Sequence, residues 1–499
     1  MPDMPTLPAL AALLANPIHS MAANTDQDVA VFLGELQANI LKSHGRHHTA
    51  QMFLSFKGLA PAAVARIVRS LGARCTSAGT QLRTRKSQPP YLDGGPVYCL
   101  FLSALGYKAL GPLAKMPEGD AFRAGMAARQ AVLNDPARSQ WNSVGWRGEA
   151  ADAMFLIADA SPDKVTTDLE QVEEWLNGSG ARILVIERGL QQTRTFRTGA
   201  DPETVEHFGY VDGRSQPLFL QEDIDRELQS LAGETANIGG PQWSPAFPPS
   251  QFIVADPNGR RALSAGSYFV FRKLEQDVRG FNKAEDDLGK AYFGAGATPD
   301  QLDQAGAMVV GRFEDGTPLT LHNSEQKQAV PNGFTYADDA DGARCPFHAH
   351  IRKTNPRGDI VRQFGAPEPA ERGPIMARRG ITYGAQRPMS ADHSEFADQG
   401  HEPIHDSGLL FMAYMASIEA QFEFTQQSWA NNPDFVVPAA GVDPVIGQTS
   451  DTTQRKHTYL DGYTSGAPKK ELSFENFVHM QGGEYFFAPS LSFLRSVGL

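Results

Sequence analysis

The chain is 499 residues long, with 41% hydrophobic and 20% charged residues, more than one hydrophobic core usually serves, so a globular protein of two domains is expected. With no long apolar run and no heptads it reads as neither a membrane protein nor a coiled coil. A net charge of -12 sets aside general nucleic-acid binding, because a phosphate-facing surface carries a basic excess.

From the N-terminus, PALAALLA (8–15) is apolar like part of a signal peptide, but the first Lys or Arg is Lys42. Without a basic region ahead of it, a cytoplasmic protein is expected. Cys75, Cys99 and Cys345 lie far apart with no CxxC, which excludes a disulfide framework and a thiolate metal site and fits a reducing compartment. Short apolar runs then alternate with amphipathic stretches. QMFLSF (51–56) precedes APAAVARIVRSLG (60–72), VYCLFLS (97–103) precedes ALGYKALG, MFLIADA (154–160) precedes DLEQVEEWLNG, and ARILVIERG (181–189) ends the series. The pattern predicts strands and helices of an α+β sandwich with a mainly antiparallel sheet, as in ferredoxin-like folds. SYFVFRKL (267–274) and GLLFMAY (408–414), each followed by a helical pattern, repeat it. Two such domains are therefore expected: an extension over 1–30, one domain over 31–205 and a second over 206–499. The Pro/Gly-rich stretch 239–252 and the polar segment 322–344 fall in the second, and irregular segments of that length are usually functional or mobile.

No P-loop, GxGxxG before a helix, HExxH or GxSxG occurs, which removes the commonest phosphate, dinucleotide, zinc-protease and serine-hydrolase readings. Three other segments carry the chemistry. GYVDGRSQP (209–217) sets Asp212 between glycines, which by itself describes a turn capped by a carboxylate. CPFHAHIRKTNPR (345–357) places His348 and His350 two apart among Arg352, Lys353 and Arg357. On an extended backbone both imidazoles would share a face, as in a non-haem metal site, whereas on a helical turn they would diverge. Basic residues beside one imidazole suit an anionic cofactor such as haem, whose iron takes an axial His and whose propionates seek Arg. ARRGITYG (377–384) has Arg378 and Arg379 adjacent, and on a strand one of them would point inward.

In this order the three segments resemble the hallmark motifs of the dye-decolourising peroxidases: GxxDG followed by SQP, a His before RKxxPR, and RRGxxYG. QANILKSHGR (37–46), VGRFEDGTPL (310–319) and GGEYFFAPSLSFL (482–494) agree too, so the resemblance runs from about residue 30 to the C-terminus and is nearest the longer fungal and bacterial forms. It implies one haem b per chain, held mostly by the C-terminal domain, with His350 as iron ligand and Arg352, Arg357, Arg378 and Gly213 as further cofactor contacts. It makes Asp212 the distal acid and Arg378, rather than Arg379, the distal Arg. Glu419, beside an apolar stripe of Phe411, Met415, Ile418, Phe422 and Trp429, is the expected carboxylate partner of the ligand His. His348 matches no motif and is read as a supporting loop residue.

The implied reaction reduces hydrogen peroxide to water through a ferryl intermediate and oxidises dyes, phenols or other one-electron donors. Asp212 would take the proton from one peroxide oxygen and return it to the other, and Arg378 would stabilise charge on the leaving oxygen. The distal His of plant-type peroxidases has no counterpart. Partners are peroxide and small reducing molecules, without nucleic acid or membrane, in a monomer or homo-oligomer. Surface Trp or Tyr relays occur in the family, and Trp243 and Trp429 are the candidates here. Haem binding without peroxidase turnover, and a non-haem metal oxidase built on His348 and His350, are the competing readings.

Overall fold

The computed structural model describes residues 7–84, 94–141, 144–196, 201–234, 242–326, 332–385 and 402–499. Residues 1–6 of the expected extension, 239–241 of the Pro/Gly-rich stretch and 327–331 of the polar segment lie outside the described residues.

The first unit runs β1 (His48–Ser55), α1 (Pro61–Arg74), β2 (Val97–Leu102), β3 (Ala153–Asp159), α2 (Pro162–Asn177) and β4 (Arg182–Leu190). Each helix starts where its sequence says it should. Pro61 and Pro162 occupy the first turns, where no N–H is needed, and the Ser161 hydroxyl accepts from Lys164 N. α1 then buries Val64, Ile67, Val68 and Leu71, and α2 buries Val165, Leu169, Val172 and Leu176, each set one stripe at helical spacing. Burying one such aliphatic side chain is worth roughly 1.5–3 kcal/mol.

The second unit runs β5 (Ala265–Gln276), α3 (Val278–Phe293), α4 (Pro299–Val310), the short α5 (His350–Thr354), β6 (Ile381–Tyr383), β7 (Gly408–Met415), two π-helical stretches (Ile418–Glu423 and Thr425–Ala430) and β8 (Val478–Ala488). The expected helix after β7 is thus wound more widely, as in the bond from Asn431 N to Gln426 O. Its predicted stripe also divides, because Phe411 and Met415 belong to the strand.

The strands form one sheet in the order β6-β7-β5-β8-β2-β3-β1-β4, with antiparallel neighbours throughout. Each unit has the same internal order: second strand, third, first, fourth. The units are two ferredoxin-like sandwiches joined where Phe487 of β8 pairs with Leu102 of β2. The sheet also curls. Phe53 of β1 and Phe271 of β5 are separated by three strands, which in a flat sheet would set them about 19 Å apart, yet their ring centroids are 4.7 Å apart. The two edges meet as well, with Thr382 Oγ1 of β6 donating to Leu190 O of β4 and accepting from Gln192 N. Closure removes exposed edges and encloses an aromatic core of Phe53, Trp146, Phe271 and Phe486.

Candidate active site

A cavity of about 250 Å³ lies in the second unit, lined among others by Leu274, Val310, Ile351, Met376, Phe411 and Val445. His350, Asp212, Gly213 and Arg378 all line it. Three segments far apart in sequence are thereby brought to one space.

His350 opens α5, and its Nδ1 lies 2.8 Å from Oδ2 of Asp443, a residue with no solvent exposure. Asp443 is itself fixed, its Oδ1 accepting from Val445 N at 2.8 Å and Ile446 N at 3.0 Å. Burial would raise the Asp443 carboxyl, but His350 and these two N–H groups outweigh it and hold the acid below its ordinary value. A carboxylate that accepts from Nδ1–H sets the imidazole tautomer and leaves the Nε2 lone pair to the cavity.

Glu419, the expected partner, does not meet His350. Its Oε1 accepts from Ala121 N at 2.6 Å, and it joins Glu423, paired with Arg129, and Glu484, which accepts from Met126 N, in fastening the segment 120–129 of the first unit to the second.

Asp212 leaves a tight turn in which Asp212 N donates to Thr204 O at 2.9 Å and Glu206 N to Tyr210 O at 3.1 Å. Gly209 and Gly213 take φ of 108° and 84°, which side-chain-bearing residues avoid. Asp212 Oδ1 accepts from Gly213 N at 2.6 Å and faces Arg378 Nη1 at 3.5 Å. Arg378 sits in the two-residue strand Ala377–Arg378, paired with β7, and its Nη2 donates to Arg214 O at 3.0 Å. Strand alternation sends Arg379 the other way. It is buried, donating to Asn39 O and Ile40 O at 2.9 Å each, which gives the QANILKSHGR stretch a structural task.

Two other expected cofactor contacts are already committed elsewhere. Arg352 is bound by Asp339 and Asp359 between the rings of Tyr336 and Phe347, each 4.3 Å from its guanidinium. Arg357 is buried and donates to Asn332 O, Phe334 O and Ser215 Oγ. Neither lines the cavity. Their density reflected the need to neutralise buried acids and carbonyls beneath α5. The arginines that do line it include Arg214, whose buried Nε has no partner among the described residues, and Arg312, which burial lowers to about 9. Both stand in segments already singled out, GYVDGRSQP and VGRFEDGTPL.

His348 diverges from His350 and packs in the core against His457 and Tyr459, at ring distances of 4.5 and 4.7 Å. Among the described residues no group of three or more His, Cys, Asp or Glu could hold a metal ion. Trp243 and Trp429 are buried, at 8% and 1% exposure, rather than at the surface. No helix among the described residues is long and apolar enough to cross a membrane.

No family model matches the chain. It is 42% identical over 483 residues to the multifunctional dye peroxidase DyP2 of Amycolatopsis sp., covering 94% of this chain and 97% of that protein. The dye-decolorizing peroxidase msp1 of Mycetinis scorodonius is 29% identical, over 99% of this chain and 91% of its own length. The solved structure of a DyP-type peroxidase of Anabaena sp. superposes with a TM-score of 0.84 at 34% identity, covering 97% of this chain and 99% of that one. Fold and cavity therefore define a peroxidase of the haem-dependent, two-sandwich class. This chain belongs to the dye-decolourising peroxidase family, and it is an oxidoreductase that acts on peroxide.

Proposed function

We propose that this chain is a haem b peroxidase, with one haem per chain, in which His350 holds the iron and Asp212 moves the peroxide proton. The observation that carries the reading is the meeting, in one apolar-walled cavity, of an imidazole whose Nδ1 is tied to Asp443 and an Asp212–Arg378 pair. The residues suit that group. The cavity has one nitrogen ligand, apolar walls for a macrocycle, and Arg214 and Arg312 in its lining as positive charge for propionates. All of its lining falls between Glu206 and Val478, which supports a C-terminal haem-binding domain over 206–499.

When bound, haem would supply the site where peroxide is reduced and the oxidising equivalents that donors later quench. The protein's part is proton handling. Asp212 Oδ1 is held by Gly213 N at 2.6 Å. Oδ2 is thus the oxygen able to take the proton from bound peroxide and return it to the departing oxygen. Arg378 Nη1, 3.5 Å from Asp212 Oδ1, offers positive charge to the leaving oxygen. Asp443 holds His350 in one tautomer throughout.

Dyes and phenols are the proposed donors, in keeping with the names of the relatives and with one solved relative, 27% identical, bound to 2,6-dimethoxyphenol. A cytoplasmic location belongs to the same proposal, supported by Cys75, Cys99 and Cys345 all being free and buried. An absorption spectrum of the purified protein before and after hydrogen peroxide tests the reading. A Soret band that shifts on adding peroxide and returns on adding a phenol is expected. A Soret band unmoved by peroxide would instead indicate haem binding without turnover.

A further inference from the structure

The turn that delivers Asp212 is built around a carboxylate with no part in the chemistry above. Glu206 Oε2 accepts from Phe208 N at 2.9 Å and Oε1 from Tyr210 N at 3.0 Å, so one side chain receives two inward-facing amides of its own turn. A third donor, Gln276 Nε2, reaches Oε2 from the end of β5 and ties the turn to the sheet. The backbone closes the same loop, with Glu206 N donating to Tyr210 O at 3.1 Å and Gly209 N to Glu206 O at 3.0 Å. Two residues beyond Tyr210 the chain arrives at Asp212.

Glu206 forms part of the cavity wall. Its position is costly for an acid. Burial outweighs the three donors, Asp212 adds repulsion, and the carboxyl rises to about 7. An apolar residue there would leave the Phe208 and Tyr210 amides without acceptors inside the protein.

We propose that Glu206 is a positioning residue for Asp212: its carboxylate is the internal template of the 206–210 turn and fixes the reach of Asp212 toward Arg378. The proposal rests on Asp212 being the proton carrier, and the experiment separates the two. Glu206→Gln keeps the shape but replaces one acceptor oxygen by a donor, so one turn amide or the Gln276 contact must be lost. In the holoenzyme, with haem content measured by absorbance, amide hydrogen exchange at Phe208 and Tyr210 is expected to quicken about tenfold. The kcat/KM for hydrogen peroxide should fall about 10- to 100-fold, as small misplacements of a catalytic group do, with the KM for a phenolic donor unchanged.

Wild-type exchange at both amides together with wild-type kcat/KM in E206Q would overturn the proposal, as would a fall in activity that only tracks lost haem. Faster exchange with unchanged kcat/KM would overturn it too, unless Asp212→Asn is equally active, in which case the proton-carrier reading has failed and the turn is merely structural. Should E206Q not fold, Gln276→Met removes the same carboxylate's tie to the sheet, and wild-type exchange at Phe208 and Tyr210 in that variant overturns the proposal.

Discussion

His350 and Asp212 face one cavity and are held in contrasting ways. The imidazole is fixed by a 2.8 Å bond to a carboxylate with no exposure, and that carboxylate by two backbone amides. Asp212 stands on a glycine-flanked turn, 27% exposed, 3.5 Å from an arginine that is itself 38% exposed. The difference matches the two roles proposed for them. A metal ligand gains from immobility, because a fixed tautomer and ring orientation cost nothing further on binding. A proton carrier needs an oxygen left free and room for the molecule it serves.

The contrast can be broken at several points. Beside Asp212 itself the largest effect is expected at Arg378: Arg378→Leu should lower kcat/KM for peroxide about 10²–10³-fold at unchanged melting temperature, since the lost group acts on developing charge. Its neighbour should behave oppositely. Arg379→Leu leaves the carbonyls of Asn39 and Ile40 without their donor, so stability measured by denaturant should fall by about 2–4 kcal/mol while activity per bound haem holds. Equal behaviour of the two variants would remove the distinction between them.

On the ligand side, Asp443→Asn should lower haem retention or turnover about 10- to 100-fold, by titrating apoprotein with haemin and assaying the product. A pH series probes the layer behind Arg379. Burial, with help from Arg46 and Arg379, lowers His44 to about 3. The folded value lies below the unfolded 6.5, so the stability contributed by neutral His44 is present above pH 6.5 and is lost as pH falls toward 3. Wild type should therefore lose about 2–3 kcal/mol more than His44→Gln between pH 7 and 4.5. The smallest effect is expected at Glu419, where Glu419→Gln should cost about 1 kcal/mol or less in stability and leave the spectrum and turnover as they are. A changed spectrum would revive it as the ligand's partner.

Much of this was legible in the chain. Strands and helices followed from periodicity and the divergence of Arg378 from Arg379 from strand alternation, whereas Asp212 and Gly213 were singled out only through the family resemblance, since GYVDGRSQP alone describes a capped turn. What the sequence hid depends on contacts without local signature. Asp443 lies 93 residues beyond His350, in a GVDPV turn whose composition suggests only a cap. Arg352 and Arg357 read as cofactor contacts because a cluster of basic residues looks the same whether it meets propionates or buried acids such as Asp339 and Asp359. Glu419 was expected from the family's pattern and its place beside the apolar stripe, and neither signals that its carboxylate accepts from the Ala121 amide. The curl of the sheet, with its edges joined at Thr382, needed both units together.

The most direct test is Asp212→Asn, purified with its haem and mixed rapidly with hydrogen peroxide. A carboxamide keeps the shape and removes the base, so haem content should equal that of the wild type while the rate of peroxide consumption falls about 10²–10⁴-fold. A rate within twofold of wild type at equal haem content would contradict the assignment of the proton to Asp212.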